Sequence, residues 1–137
     1  MIFLDTNVIS ETLKHNPEPV VMNWLAVHDA ELAIPTVTLA EIAYGIEKIR
    51  PDQRSDRLAQ GLTAWRERFS GQIHAFTEQA ALVYGKLMGE AARSGYAMSV
   101  PDGMIAAIVL VNGGELATRN VGDFKVAGLN LINPWEG

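Results

Sequence analysis

Short apolar runs alternate along this chain with longer stretches of helical periodicity. Ile2 to Leu4 is too brief for a helix and wholly apolar, as expected of a buried strand. The strands predicted in this way cover residues 2–4, 31–34, 72–76, 115–118 and 129–132, and the helices cover 6–14, 17–27, 36–49, 52–69, 77–94 and 99–110. Strands that alternate with helices predict an α/β fold in which helices cover both faces of a mainly parallel sheet. No linker or internal repeat is visible, so we expect one domain over residues 1–137.

Several predicted helices carry information about packing. The helix that contains Met104 to Val111 is apolar on all sides, which predicts a position at the centre of the domain. Gly85 and Gly89 lie one turn apart in the helix before it. Because glycine costs about 1 kcal/mol relative to alanine inside a helix, this pair predicts the close approach of another backbone. The helices over 36–49 and 52–69 are predicted to form a hairpin, and the apolar side of the second helix is predicted to consist of Val20, Val21, Trp24, Leu25 and Val27.

Composition narrows the classes of protein. There are no cysteines, which excludes a disulfide framework, a thiolate nucleophile and a cysteine-ligated zinc site. The longest apolar stretch is far shorter than the roughly 20 residues that span a bilayer, and no basic leader precedes the first strand. We therefore expect a cytoplasmic protein that has no membrane partner.

The net charge of −5 argues against binding of nucleic acid through the overall field of the molecule. Six of the 11 basic residues nevertheless lie in one region, where acidic residues are interspersed among them. This pattern is typical of a solvated helix face, and a dedicated surface for RNA or a partner protein is the alternative. The six are Lys48, Arg50, Arg54, Arg57, Arg66 and Arg68.

Four carboxylates stand at related places in the predicted fold. Asp5, Glu41 and Asp123 each follow a predicted strand, and Asp102 opens the helix expected to be central. The loops that follow parallel strands share one edge of the sheet, where open α/β folds bind their ligands. The four side chains are therefore predicted to converge on one acidic pocket.

Each carboxylate also has a local interpretation as a helix cap or a turn residue. These interpretations are an N-cap at Asp5, a capping box from Thr38 to Glu41, a capping box from Ser99 to Asp102, and a simple turn at Asp123. Taken singly, the local and the functional interpretations are equally good. The recurrence of the same arrangement favours the acidic pocket.

An acidic pocket of this kind implies a cation. Two carboxylates about 4 Å apart repel each other by about 4 kcal/mol at an effective dielectric of 20. Oxygen ligands without cysteine or clustered histidine point to Mg²⁺ or Mn²⁺, which can activate water for attack on a phosphodiester. Further polar residues are predicted at the same edge, suited to orienting carboxylates or holding a phosphate, with local turn hydrogen bonding as the alternative for Asn7 and Thr118. They are Thr6, Asn7, Thr118, Arg119 and Asn120.

Four blocks of sequence, in this order, resemble the PIN-domain ribonucleases and, more narrowly, the bacterial VapC-type toxins of type II toxin–antitoxin modules. The blocks are Phe3-Leu-Asp5-Thr-Asn7-Val-Ile-Ser-Glu11, Pro35-Thr-Val-Thr-Leu-Ala-Glu41-Ile, Pro101-Asp102-Gly-Met-Ile-Ala-Ala and Ala117-Thr-Arg-Asn120-Val-Gly-Asp123-Phe. The resemblance implies a PIN-like three-layer α/β/α sandwich with four to five strands. It also implies an endoribonuclease that depends on Mg²⁺ or Mn²⁺, with its metal held by Asp5, Glu41, Asp102 and Asp123.

The same resemblance implies partners. It implies a homodimer, a cognate antitoxin that wraps the toxin, and contact with DNA only through that antitoxin. The hairpin over 41–69, with Trp65 and its arginines, is our hypothesis for the contact surface with antitoxin and RNA. Gly103 departs from the family, which commonly has alanine there, and we expect it to loosen the first turn of its helix.

Two other functions start from similar features. Phosphotransferases of the haloacid dehalogenase type also open with a strand that ends in aspartate, but they need a second aspartate two residues on, where this chain has Asn7. A receiver-like domain would bind metal for regulation only and needs a lysine late in the sheet. Lys125 is the nearest candidate, and it follows Asp123 instead of ending a strand.

Overall fold

The computed structural model describes residues 1–137, apart from the side chains of residues 126 and 127. Its strands are β1 Ile2–Leu4, β2 Leu32–Pro35, β3 Ile73–His74, β4 Glu115–Ala117 and β5 Leu131–Ile132. Its α-helices are α1 Thr6–Thr12, α2 Pro19–Val27, α3 Thr36–Lys48, α4 Arg54–Arg68, α5 Glu78–Arg93 and α6 Val100–Val111. A 3₁₀ segment, Val121–Ala127, follows β4, and another, Pro134–Glu136, follows β5.

Within the described residues, the five strands form one sheet in the order β3-β2-β1-β4-β5, and every pair is parallel. β1 is central because its three residues are apolar and buried on both faces. The predicted α/β fold with a parallel sheet is confirmed. The two edge strands are shorter than predicted, since each pairs with a single neighbour over two residues.

Hydrophobic side chains form a core on each face of the sheet. On one face Leu4 packs with the apolar sides of α1 to α4. On the other face Phe3 packs with α5 and α6. Residues Ile105 to Val109 of α6 are fully buried, which confirms the predicted central position of this helix.

The prediction for Gly85 and Gly89 is wrong. A Cβ atom added at Gly85 would meet nothing within 4 Å, and one added at Gly89 would meet only the Arg93 side chain of the same helix. The close approach between α5 and α6 comes instead from Gly103, where an added Cβ would lie 2.6 Å from Met88 Sδ. Gly103 is buried and lies within a regular helix. Its lack of a side chain makes room for α5, and the expected loosening of the first turn of α6 is not observed.

Helices α3 and α4 pack against each other as the predicted hairpin. In α2 the apolar side is narrower than predicted, because Val20 is exposed and Val27 is 78% exposed, whereas Trp24 is buried. Val27 is the last residue of α2, and a short 3₁₀ segment, Asp29–Glu31, follows it. None of the described helices is long and apolar enough to cross a membrane.

Several basic residues of the hairpin are paired with acidic neighbours. Arg50 contacts Glu47 and Asp56, with nitrogen–oxygen distances of 2.9 and 3.4 Å. Arg54 pairs with Asp52 at 3.1 Å, and Arg68 pairs with Asp29 at 2.7 Å. This pairing favours the interpretation of the basic region as a solvated helix face.

Candidate active site

Asp5 joins the end of β1 to the start of α1 and uses its two carboxylate oxygens differently. Oδ1 accepts the backbone N–H of Thr6 at 2.8 Å, which makes Asp5 the N-cap of α1 as its local interpretation required. Oδ2 accepts the hydroxyl of Thr118 at 2.7 Å. Asp5 is only 5% exposed, and Thr118 is fully buried. The parallel register that pairs Leu4 with Ala117 brings these two residues side by side.

Glu41 does not form the capping box with Thr38. α3 begins at Thr36, so Thr38 lies inside the helix, and its buried hydroxyl donates to the carbonyl oxygen of Leu4 at 3.0 Å. The carboxylate of Glu41 instead accepts the hydroxyl of Thr6 at 2.5 Å. Glu41 is thereby turned toward the carboxyl end of β1, next to Asp5.

Asp102 and Asp123 approach the same place from α6 and from the 3₁₀ segment. Ser99 caps α6 and accepts the backbone N–H of Asp102 at 3.3 Å, so half of the predicted capping box exists. The Asp102 side chain is half-buried. Asp123 is exposed, and its backbone N–H donates to the carbonyl oxygen of Asn120 at 3.0 Å, as its interpretation as a turn residue required.

Two of these acids have raised pKa values, to which the charges of neighbouring carboxylates contribute. Burial raises the pKa of Asp5 to about 6, and the negative charges of Asp102 and Glu41 add to the rise, against hydrogen bonds from Thr118 and Thr6. Burial also raises the pKa of Asp102, with further contributions from the charges of Asp123 and Glu41 and with the Ser99 side chain opposing. Asp5, Glu41, Asp102 and Asp123 therefore form one acidic cluster at the carboxyl edge of the sheet.

The acidic cluster has no basic partner among the ion pairs of the described residues. All of its potential ligand atoms are carboxylate oxygens, which suit a hard divalent cation such as Mg²⁺ or Mn²⁺. Within the described part of the chain, no three acidic or histidine side chains are positioned to ligate one ion together. Mg²⁺ commonly keeps several waters and takes only one or two carboxylates directly, so the donor set fits such an ion.

Polar residues around the cluster tie the loop after β4 to the start of α1. Asn7 donates from Nδ2 to Asp5 Oδ2 at 3.3 Å, and its Oδ1 accepts the backbone N–H of Arg119 at 3.3 Å. The backbone N–H of Asn120 donates to Thr118 Oγ1 at 3.0 Å. Thr118 and Asn7 thus make local turn contacts and also reach the acidic cluster. The guanidinium of Arg119 lies 5.0 Å from the centre of the Trp135 ring, a cation–π contact on the outer side of this loop.

Two further residues make buried contacts that the sequence did not predict. Thr38 holds the end of β1, as described above. Glu11 is a buried carboxylate of α1 that accepts Lys14 Nζ at 2.8 Å and the backbone N–H of Glu18 at 3.0 Å. The hydrogen bond from Lys14 lowers the pKa of Glu11. The signal available was a charged residue at a position of α1 that helical periodicity turns inward.

Curated proteins of other bacteria are similar to this chain over nearly its whole length. The plasmid stability protein StbB of Pseudomonas syringae pv. tomato is 38% identical over 138 residues, with 99% of each chain covered. The VapC ribonuclease Y4jK of Sinorhizobium fredii is 37% identical over 142 residues, again with 99% of each chain covered.

Solved structures share the fold over nearly the whole chain. The crystal structure of FitAcB from Neisseria gonorrhoeae superposes with a TM-score of 0.91 at 32% identity and covers 100% of both chains. A structure of FitAB bound to the IR36 DNA fragment has a TM-score of 0.90 at 31% identity and covers 98% of this chain and 96% of that one. The family model described as PIN domain matches residues 2–128. The chain belongs to the PIN domain family.

Proposed function

We propose that this protein is a divalent-metal-dependent endoribonuclease that acts in the cytoplasm as the toxin of a type II toxin–antitoxin module. The observation that carries the proposal is the acidic cluster, in which four carboxylates without a basic partner among the described residues act on one another at the edge where parallel sheets bind ligands. The names of two relatives, a VapC ribonuclease and a plasmid stability protein, support it. Family membership and the presence of Asn7 argue against the dehalogenase-type and receiver-like alternatives.

In this proposal Asp5, Glu41, Asp102 and Asp123 bind Mg²⁺ or Mn²⁺ together, one or two of them directly and the others through water. A bound ion of this kind lowers the pKa of water and stabilises the oxygen that leaves a phosphodiester. The chain's own residues orient the ligands. Thr118 and the Thr6 backbone N–H fix both oxygens of Asp5, and the Thr6 hydroxyl fixes Glu41. Because the two donors to Asp5 also favour its ionised form, they oppose the effect of burial and keep Asp5 available to a cation.

The loop after β4 has a positioning role in the same proposal. Asn7 holds the backbone at Arg119, and Thr118 holds the backbone at Asn120, so the loop that leads to Asp123 is anchored next to Asp5. Arg119 and Asn120 are exposed at this edge and supply donors for the phosphate of an RNA strand.

The proposed partners are an RNA substrate, a second copy of the chain and a cognate antitoxin through which DNA is reached. The structure of FitAB bound to a DNA fragment supports the last of these. An apolar cleft of about 420 Å³ lies between the end of α1, α2 and α4, with Met22, Leu25 and Trp65 in its walls. We propose that the antitoxin covers this cleft, with the Arg68–Asp29 ion pair at its rim.

The experiment that tests the enzymatic function is cleavage of labelled RNA by the purified chain. We expect cleavage with Mg²⁺ or Mn²⁺, none with a chelator, and loss of cleavage in Asp5→Asn because a ligand charge is removed. Glu90→Gln removes an exposed charge on α5 and is expected to cleave normally. Cleavage that persists in chelator or in Asp5→Asn would contradict the proposal. Lost stability with intact cleavage in Asp5→Asn would make Asp5 purely structural.

A further inference from the structure

A second, smaller cleft shares one residue, Glu41, with the acidic cluster. It has a volume of about 220 Å³ and lies between α1, α3 and α4. Thr6 and Glu41 line it, and the same two residues form the hydrogen bond beside Asp5. We propose that this cleft, called the flanking cleft below, binds one unpaired base of the RNA next to the phosphodiester that is cut, an inference that rests on the proposed function.

The size and the walls of the flanking cleft suit a single base. Pockets for drug-sized ligands have volumes of about 300 to 1,000 Å³, so this one takes a smaller group. Ile46 and Leu58 offer apolar surfaces to the faces of a planar ring, and the Ser10 hydroxyl can donate to or accept from its edge.

Gly45 is the residue that keeps the flanking cleft open. It lies four residues after Glu41 in α3, on the same face of the helix. A Cβ atom added at Gly45 would meet nothing within 4 Å. A glycine inside a helix costs about 1 kcal/mol relative to alanine, and no neighbouring atom requires one here. The space in front of Gly45 is the cleft itself, and a longer side chain at this position would fill it.

The location of the flanking cleft favours RNA over a protein segment. Because Glu41 belongs both to the cleft and to the acidic cluster, whatever occupies the cleft lies directly beside the bond that is cut. Tyr44, on the turn of α3 that follows Glu41, is 66% exposed and offers a further surface on which a base can stack. A base has to be unpaired to enter the cleft, so the proposal requires RNA that is single-stranded beside the cut site.

The test fills the flanking cleft without touching the core. Gly45→Leu is compared with Gly85→Leu, a matched control because Gly85 is also a helical glycine with nothing within 4 Å of an added Cβ. Cleavage of a short single-stranded RNA is measured with Mg²⁺ after thermal unfolding has verified that both variants fold. We expect Gly45→Leu to lower kcat/KM about tenfold or more, which corresponds to about 1.4 kcal/mol, mainly by raising KM. We expect the kcat/KM of Gly85→Leu to stay within about twofold of wild type. Gly45→Ala is the second variant, should leucine prevent folding, and is expected to give a smaller loss in the same direction.

An RNA with an abasic nucleotide beside the cut site provides the second measurement. We expect the kcat/KM of wild type to fall about tenfold when the base is missing. We expect the kcat/KM of Gly45→Leu, already lowered, to fall little further, because the substitution and the missing base remove the same contact. Equal cleavage by Gly45→Leu, Gly85→Leu and wild type overturns the inference. Weaker binding of an antitoxin with unchanged RNA cleavage also overturns it and assigns the cleft to protein. If wild type cuts no RNA, the proposed function itself is refuted. If wild type cuts RNA and the Gly45 variants cut it equally well, only the proposed role of the flanking cleft is refuted.

Discussion

Asp5 illustrates how one residue serves the fold and the site together. Its Oδ1 caps α1, and its Oδ2 accepts the hydroxyl of Thr118 from the neighbouring strand's loop. Capping and site membership were rival interpretations of the sequence, but a carboxylate has two oxygens, so a cap made by Oδ1 does not exclude a role in the site. The burial that comes with this position raises its pKa to about 6. The consequence is a fold that is less stable when Asp5 is ionised and no cation is bound.

We predict that the metal-free protein loses stability as the pH rises from about 4 to about 6. The folded pKa of Asp5, about 6, lies above the reference value of 3.8, so the folded state binds more protons in this window and stability falls as protons leave. A difference of this size is worth about 3 kcal/mol. The measurement is the free energy of unfolding by urea, in chelator, across this pH range.

Asp5→Asn is the control for this pH dependence, because other acids titrate in the same range. Glu11, whose pKa is lowered, contributes stability that is lost as the pH falls, and this contribution is the same in both proteins. The difference between wild type and Asp5→Asn should therefore report Asp5 together with its coupling to Asp102 and Glu41, with the variant relatively more stable above pH 6. Parallel curves for the two proteins would disprove the prediction.

At the scale of elements, the contact between α5 and α6 depends on Gly103. Its missing side chain leaves room for Met88, and Tyr84 Cε2 would lie 3.0 Å from an added Cβ. The sequence indicated that α6 is central, yet it pointed to Gly85 and Gly89 as the packing glycines. Helical periodicity reveals which residues share a face of one helix, but it carries no information on which neighbouring helix lies closest.

We predict that Gly103→Val lowers the free energy of unfolding by about 1 to 3 kcal/mol, because a branched side chain overpacks the space that Met88 and Tyr84 fill. Gly85→Val places the same side chain in open space on α5 and should leave stability within about 0.5 kcal/mol of wild type. Urea unfolding of the two variants makes the comparison. Equal stability of the two would show that α5 and α6 have room to adjust.

At the scale of the whole molecule, the parallel sheet gathers like charges at one edge. Glu41, Asp102 and Asp123 reach that edge from three separate segments, and the molecule already carries a net charge of −5. The described ion pairs lie elsewhere, mainly on α4 and its neighbours. A cation that binds the folded state at this edge should therefore stabilise the entire domain.

We expect Mg²⁺ or Mn²⁺ to raise the thermal midpoint of wild type in a concentration-dependent way. Binding to the folded state adds about 2.7 kcal/mol at a cation concentration one hundred times the dissociation constant. Scanning calorimetry with and without each ion measures the shift. The double variant Asp5→Asn with Glu41→Gln should lose it, whereas Glu90→Gln should keep it. A midpoint that does not respond to either ion would argue against a metal site at the acidic cluster.

By itself the sequence determined the order of strands and helices, the parallel sheet and the burial of α6, because alternation and helical periodicity are local properties. It also predicted that four carboxylates meet at one edge, because the loops after parallel strands share that edge. Only the tertiary structure decided what each side chain contacts. Glu41 accepts a hydrogen bond from Thr6 and does not cap α3 with Thr38. The glycine that lets α5 and α6 pack closely is Gly103 and not Gly85. Gly45 lines a cleft. These outcomes depend on distances between segments far apart in the chain, which periodicity along the chain does not encode.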